Sequence, residues 1–218
     1  MNDLTNGFEL AAARSAGATK IYGSGETEVR ALDGIDVAFP KEQFTAIMGP
    51  SGSGKSTLMH CMAGLDDLTS GKVFIGDTDL TELTERELTL LRRSHIGFIF
   101  QAYNLVPTLN AIENITLPLD LAGEKPDSSW VDRIVEVVSL KDRTSHRPNE
   151  LSGGQQQRVA VSRALASKPE IIFADEPTGN LDSKTGTEIL EFMQLATKEL
   201  NQTIVMVTHD PVAASFSD

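Results

Sequence analysis

The feature that most constrains the fold is a set of short apolar runs that alternate with amphipathic helical segments. The clearest runs are QFTAIMG (43–49), HIGFIFQ (95–101), EIIFADE (170–176) and TIVMVTH (203–209). Most of these are apolar enough to be buried on both faces, as the central strands of a parallel sheet are. The alternation predicts an α/β domain with a mostly parallel sheet. Helices are predicted over 55–63, 84–93, 129–139, 155–167 and 184–200.

The pattern changes between residues 101 and 151. This stretch contains Pro107, Pro118 and Pro126 and shows helical periodicity without a convincing central strand. We interpret it as a helical subdomain inserted in the sheet. The 218 residues are then one domain, with a core of 1–100 and 152–218 and an insert of about 101–151. Residues 1–18 are polar or small, and we expect them to be frayed.

The composition limits the classes of partner. Nineteen basic residues stand against 31 acidic ones, for a net charge of −12. Such a charge keeps a protein soluble and disfavours binding to nucleic acid over a broad surface. No signal peptide is recognisable, and no run approaches the ~20 apolar residues that span a bilayer. The only cysteine, Cys61, indicates a reducing compartment and is expected to be buried in a helix.

A glycine-rich loop, GPSGSGKST (49–57), follows the first apolar run and precedes a helical segment. This is the context in which G-x-x-x-x-G-K-[ST] binds phosphate, because the glycines let backbone N–H groups turn inward. Lys55 should reach the β- and γ-phosphates, and the Ser56 hydroxyl should ligate Mg²⁺. The alternative is a glycine-rich turn with a chance lysine. The predicted phosphate-loop residues are Gly49, Ser51, Gly52, Ser53, Gly54, Lys55, Ser56 and Thr57.

Polar residues end the other apolar runs. Asp175 can hold Mg²⁺ beside the phosphate loop, and Glu176 can orient or deprotonate a water. His209 could donate a hydrogen bond to the γ-phosphate, although a lone histidine at a strand end is usually structural. Gln101 could ligate Mg²⁺ or position water. The alternative for the acidic pair is two surface carboxylates that start a turn before Pro177.

A second glycine pair occurs in LSGGQQQR (151–158), which also precedes a helical segment. Ser152 can cap that helix, and the N–H groups of Gly153 and Gly154 can bind an anion closely. The residues alone therefore predict two phosphate-binding helix starts in one domain.

Taken in order, GPSGSGKST, Gln101, LSGGQ, IIFADEPTGNLD and THD resemble the nucleotide-binding subunit of ATP-binding cassette (ABC) transporters, over nearly the whole chain from about residue 18. The resemblance implies a P-loop NTPase (RecA-like) core with a mostly parallel sheet, an antiparallel N-terminal β part and the helical insert. It also implies an ATPase that binds ATP and Mg²⁺.

The resemblance assigns further roles by position. Tyr22 looks like the aromatic residue that stacks on adenine, with an exposed loop tyrosine as the alternative. Gln101 resembles the glutamine that links Mg²⁺ to the insert, and Asp182 the loop aspartate at the subunit boundary. Glu176 corresponds to the catalytic base and His209 to the γ-phosphate histidine. In that family two copies face head to tail, so that Ser152, Gly153, Gly154 and Gln155 would close over the partner's ATP.

The runs ADEPTGNLDSKTG and FQAYNLVPTLNAIENITLPL resemble the branch that serves lipoprotein release, macrolide-type and peptide-antibiotic efflux, haem export and cell division. Its permeases are separate FtsX-like chains, which implies a cytoplasmic subunit held at the inner face of the membrane. Residues 101–120 would grip the permease, through contacts such as Leu105, Val106, Pro107 and Leu109. The alternative is that these four only pack the insert.

Other functions use the same residues. An ATP-gated regulator of cell-wall enzymes would need the same site and a permease partner. A nucleic-acid-associated ATPase would carry a long coiled coil or two heads, and this chain has one head and no sustained heptad. The transported cargo stays open, because specificity would reside in the permease.

Overall fold

The structure is a computed structural model and describes residues 11–218. Its strands form two four-stranded sheets, one with the order β2-β1-β4-β5 and one with the order β3-β8-β7-β6. The strands are β1 (Ala11–Tyr22), β2 (Val29–Pro40), β3 (Phe44–Met48), β4 (Ser70–Ile75), β5 (Thr78–Asp79), β6 (Ile96–Phe100), β7 (Ile171–Asp175) and β8 (Ile204–Thr208).

The second sheet is parallel throughout, because all three of its strand pairs run in the same direction. Its strands are the four apolar runs that the sequence predicts. In β7 the first four residues are buried, and β8 is buried over its whole length. All four strands point their carboxyl ends to the same edge, which places their polar end residues together.

The first sheet is antiparallel, and it contains part of the segment that was expected to be frayed. Residues 11–18 lie in β1, which pairs with β2 and with β4. Ala12, Ala13 and Ala18 are at most 1% exposed. The expectation for 11–18 was wrong because alanine carries little hydrophobic signal but packs closely where two strands flank it. Residues 1–10 of the same expectation lie outside the described residues.

The helices surround the parallel sheet and bridge it to the antiparallel one. They are α1 (Lys55–Met62), α2 (Glu85–His95), α3 (Ala111–Ala122), α4 (Ser128–Val137), α5 (Gly153–Ala166), α6 (Ser183–Leu200) and α7 (Pro211–Ala214). Short 3₁₀ turns occur at Gly25–Thr27, Leu80–Glu82, Lys141–Arg143 and Pro148–Glu150.

Helix α1 lies between the two sheets. Its Met59 and Met62 belong to one buried cluster that also contains Ala13 of β1, Phe173 of β7 and Val205 of β8. Cys61 on the same helix is 3% exposed, as expected, and burial raises the pKa of its thiol to about 11. The loop that precedes α1 is therefore anchored by packing against both layers.

Residues 101–151 form α3, α4 and two 3₁₀ turns, and no strand occurs in this part of the described chain. Helix α3 was not predicted as a separate helix. It begins at Asn110, which accepts a hydrogen bond from the Glu113 amide at 3.0 Å, and it ends at Gly123 with φ of 72°. The Trp130 ring N–H on α4 donates to the Leu165 carbonyl of α5 at 3.1 Å. The insert thus packs on α5.

Within residues 11–218, no helix combines the length and the apolar character needed to cross a bilayer.

Candidate nucleotide site

The phosphate-loop residues connect the carboxyl end of β3 to the first turn of α1. Gly52 has φ of 78° and Gly54, the N-cap of α1, has φ of 87°. A Cβ atom on Gly54 would collide with the carbonyl oxygen of Ala31. Glycine is therefore required at 54 both for its backbone angle and for the close approach of β2.

Lys55 folds back over this loop. Its ammonium donates to the Pro50 carbonyl at 2.7 Å and lies 3.4 Å from the Ser53 hydroxyl. A cavity of about 210 Å³ opens beside it. The cavity is lined by Ala31, Ser51, Gly52, Gly54, Lys55, Ser56, Thr57 and Glu176. The structure thus brings the loop together with an acidic residue from the far end of the chain.

Ser56, which lines this cavity, forms a pair of oxygen ligands with Asp175. The Ser56 hydroxyl donates to Asp175 Oδ1 at 3.1 Å, and His60 Nε2 lies 3.7 Å from Asp175 Oδ2. Among residues 11–218 no cluster of three or more His, Cys, Asp or Glu side chains could hold a metal. A hydroxyl and one carboxylate nevertheless suit Mg²⁺ at a phosphate site, because the ion keeps several waters and takes phosphate oxygens there.

Gln101 lies at the same sheet edge, one residue beyond β6. Phe100 pairs with Asp175 across the parallel strands, so Gln101 follows directly beside the acidic strand end. The Gln101 carbonyl accepts from the Asn180 side-chain amide at 2.9 Å. The Gln101 side-chain amide lies 3.5 Å from Asn180 Oδ1. Asn180 holds Gln101 in place, and the sequence pattern did not single it out.

Glu176 and His209 form a pair at the ends of β7 and β8. His209 Nδ1 lies 2.8 Å from Glu176 Oε1, and the two side chains are 65% and 29% exposed. Glu176 has φ of 45°, a left-handed conformation that costs a non-glycine residue about 1–3 kcal/mol. Its backbone N–H donates to the Val207 carbonyl at 2.9 Å. The fold thus holds the Glu176 side chain toward the cavity at the expense of backbone strain.

Tyr22 ends β1 and presents its ring to solvent, with 41% of the residue exposed. Its hydroxyl donates to Asp66 Oδ2, and Lys20 donates to Asp66 Oδ1 at 2.6 Å. The hydrogen bond to Asp66 raises the pKa of Tyr22, while the Thr57 side chain, at the end of the phosphate loop, opposes this shift. Sequence reasoning missed Asp66 and Lys20, whose contacts to Tyr22 depend on tertiary structure.

Asp182 is the N-cap of α6. Its carboxylate accepts from the Thr185 hydroxyl at 2.6 Å and from the Thr185 N–H at 3.1 Å. These bonds lower the pKa of Asp182. Its local role is therefore to start the helix and to hold the loop after Glu176.

The second glycine pair is separate from the cavity. The Ser152 hydroxyl accepts from the Gln155 N–H at 3.3 Å, and the Gln155 side chain accepts from the Ser152 N–H at 3.0 Å. This capping box starts α5 at Gly153, earlier than the predicted 155. Gly153 and Gly154 face Tyr103 and Thr185. Residues 151–155 contribute nothing to the lining of the 210 Å³ cavity.

A parallel sheet with a glycine-rich loop before α1, and carboxylates at the adjacent strand ends, defines a P-loop nucleoside-triphosphate-binding protein. Comparisons with known proteins specify the family. The ABC transporter family model matches residues 32–179. The lipoprotein-releasing system ATP-binding protein LolD of Legionella pneumophila is 43% identical over 201 residues, which are 91% of this chain and 88% of LolD.

The bacitracin export ATP-binding protein BceA of Halalkalibacterium halodurans is 44% identical over 199 residues, 90% of this chain and 79% of BceA. A dimeric, post-hydrolysis structure of the ATP-binding cassette MJ0796 of Methanocaldococcus jannaschii, bound to ADP and Pi, superposes with a TM-score of 0.83. It shares 42% identity and covers 94% of this chain and 91% of that one. The chain therefore belongs to the ABC transporter family, as an ATP-binding ATPase subunit of the LolD and BceA type.

Proposed function

We propose that this chain hydrolyses ATP to power a separate membrane permease, for export or for mechanical work across the membrane, through ATP-driven closure of a dimer. The observation that carries the proposal is that Lys55, Ser56 and Glu176 line one cavity, while Ser56 is hydrogen-bonded to Asp175. The relatives' names support the coupling to transport, since one serves lipoprotein release and another bacitracin export.

The phosphate loop would bind the ATP phosphates through its backbone N–H groups and the positive end of the α1 dipole. Lys55, which donates to the Pro50 carbonyl, would exchange that bond for charge-assisted hydrogen bonds to the β- and γ-phosphates. Ser56, Asp175 and Gln101 would hold Mg²⁺, which offsets phosphate charge when bound. The exposed ring of Tyr22 would stack on adenine, held in orientation by Asp66.

Glu176 would take a proton from the attacking water, which suits a carboxylate that lines the cavity. His209, hydrogen-bonded to Glu176 at 2.8 Å, would orient that carboxylate and contact the γ-phosphate. Both groups lie at the carboxyl edge of the sheet, where the parallel register fixes their spacing.

The start of α5 would act on a second copy. The capping box leaves Gly153 N–H and Gly154 N–H at the helix N-terminus, which attracts anions. Because residues 151–155 do not reach the chain's own cavity, a head-to-tail dimer would bring them to the γ-phosphate bound by the partner. Asp182 would line the same boundary. The dimeric MJ0796 structure supports the pairing of two copies.

A cavity of about 360 Å³ between the parallel sheet and the insert would receive a cytoplasmic helix of the permease. Phe98, Phe100 and Pro118 give it an apolar lining, and Arg93 also lines it. Arg163 donates to the Tyr103 and Asn104 carbonyls and so ties the segment after Gln101 to this cavity. Leu105, Val106, Pro107 and Leu109 follow in the same segment. An FtsX-like permease would thus hold the chain at the cytoplasmic face of the membrane.

The decisive experiment is ATP turnover by the purified chain with and without a candidate FtsX-like permease in proteoliposomes. We expect the permease to change turnover several-fold and Lys55→Ala to abolish it. A parallel reaction with double-stranded DNA serves as the contrast. If DNA stimulates turnover and the permease does not, the proposed transport function would be wrong.

A further inference from the structure

One buried polar side chain on α5 has not entered the mechanism. Gln157 is completely buried, and its Nε2 donates to the Pro177 carbonyl at 2.6 Å. Its Oε1 has no hydrogen-bond partner among the described residues. A buried polar group needs a strong reason to be kept, because burying an amide costs free energy unless its partners are good. The bond to Pro177 is the one contact that compensates for it.

That bond ends at the carbonyl of Pro177, the residue that follows Glu176. Glu176 is the residue with φ of 45°, so its side-chain direction depends on whatever holds its backbone. On one side, Glu176 N–H donates to the Val207 carbonyl at 2.9 Å. On the C-terminal side, Gly179 N–H donates to the Glu176 carbonyl at 3.0 Å. Pro177 has no N–H of its own, so its carbonyl is its only backbone anchor.

A second contact joins the same two segments. Gly154, in the first turn of α5, lies so close to Thr185 that a Cβ atom would collide with the threonine methyl group. Thr185 in turn donates to Asp182, which ends the loop that begins at Glu176. The start of α5 and the loop from 176 to 185 are therefore joined at two points, Gln157–Pro177 and Gly154–Thr185.

We infer that Gln157 is a positioning residue for Glu176, and that it makes the start of α5 and the hydrolytic turn of the same chain move as one unit. This inference rests on the proposed function, in which Glu176 activates water and Ser152 contacts the partner's ATP. When Ser152 contacts the γ-phosphate of ATP bound by the partner, the effect is then transmitted through Gln157 to Glu176, the general base of this chain's own site.

Gln157→Met tests the inference, because it keeps the side-chain length and volume but removes the donor. We expect the kcat for ATP to fall about 10- to 100-fold, as for a slightly misplaced catalytic group, while KM changes less than about twofold. The Hill coefficient for ATP should fall toward about 1, since the two sites lose their link. Gln157→Asn, which keeps the amide but shortens its reach, should lower kcat less.

Gln202→Met is the matched control. Gln202 is also buried, and its Nε2 also donates to a proline carbonyl, that of Pro169, at 2.9 Å. Both methionine variants should therefore lower the melting temperature by similar amounts, and only Gln157→Met should lower kcat. Equal kcat in the two variants would overturn the inference.

A double mutant separates positioning from general damage. If Gln157 acts through Glu176, adding Gln157→Met to Glu176→Gln should leave the residual rate unchanged. A further drop of about tenfold would contradict this. Normal turnover by Glu176→Gln alone would overturn the role of Glu176 and this inference with it. Normal turnover by Gln157→Met beside an inactive Glu176→Gln would overturn this inference alone.

Discussion

At the scale of single residues, the site contains side chains that are oriented by contacts with one another. Ser56 donates to Asp175, and Glu176 lies 2.8 Å from His209. Each pair joins groups that come from different strands or helices, so each distance depends on the packing of the parallel sheet. Such preorganisation lowers the reorganisation needed when charge develops at the phosphate.

Glu176→Gln should preserve ATP binding and lower turnover by at least about 100-fold, because the amide cannot accept the proton of the attacking water. With ATP kept intact, the variant should accumulate as a dimer. Fluorescent-nucleotide binding, phosphate release and size-exclusion chromatography measure these effects. Lys55→Ala provides the contrast, since it should weaken nucleotide binding itself. Normal phosphate release by Glu176→Gln would exclude it as the base.

Cys61 should make stability depend on alkaline pH. Burial raises the pKa of its thiol from 9.0 to about 11. Below the unfolded value both states are protonated, and its contribution is fully present. As the pH rises from 9.0 toward about 11, the unfolded state ionises first, so stability falls. Urea unfolding at about pH 8 and about pH 10 should show this loss in the wild type and less of it in Cys61→Ala. An equal loss in both proteins would contradict the assignment.

At the scale of elements, α2, α3 and α5 all begin with a capping box, and α2 and α5 share a hydroxyl N-cap. Thr84 and Glu87 start α2, and Ser152 and Gln155 start α5. The two caps therefore allow the structural role of a cap to be separated from a role toward ATP.

Ser152→Ala and Thr84→Ala should each lower the free energy of unfolding by about 1 kcal/mol, the usual cost of losing an N-cap. Only Ser152→Ala should also lower ATP turnover and weaken ATP-dependent dimerisation, because only its helix start faces the partner copy in the proposed dimer. Chemical denaturation and steady-state turnover of both variants test this. Equal turnover in the two variants would show that α5 has no role toward ATP.

Strands with large apolar side chains were predictable, and strands built from small residues were not. Large apolar residues such as Phe44, Ile172 and Val205 indicate buried strands. The four strands of the parallel sheet agree with the predicted runs within one residue at each end. The resemblance implied an antiparallel β part near the N-terminus, but the residues alone did not predict β1, because its buried positions are mainly alanines. The loop with Lys55 and Ser56 was predictable from its motif. The contacts of Asn180 and Gln157 were not, because they join segments that are 79 and 20 residues apart.

At the scale of the whole molecule, the cavity beside the insert, where we propose that the permease docks, shares no lining residue with the cavity at the phosphate loop. Arg93 lines the cavity beside the insert and precedes β6, whereas Gln101 follows β6. Coupling across β6 would then connect the permease to the Mg²⁺ ligands.

Arg93→Glu should abolish stimulation by the permease and leave basal turnover within about twofold, since reversing a charge at an interface mainly affects association. Arg86→Glu is the control, because Arg86 is exposed on the same helix and does not line the cavity. Turnover of both variants with and without permease-containing vesicles measures the effect. Stimulation that survives in Arg93→Glu would place the docking surface elsewhere.

The position of α1 between the two sheets has a consequence for folding. A ligand that binds the native loop before α1 stabilises the whole domain by mass action, by about 2.7 kcal/mol at a concentration 100 times its Kd. Because Met59 and Met62 belong to one buried cluster with residues of both sheets, unfolding of either sheet should also disturb the packing behind the loop. Bound nucleotide should therefore raise the melting temperature of both sheets together, so that ATP also stabilises the fold of the domain that hydrolyses it.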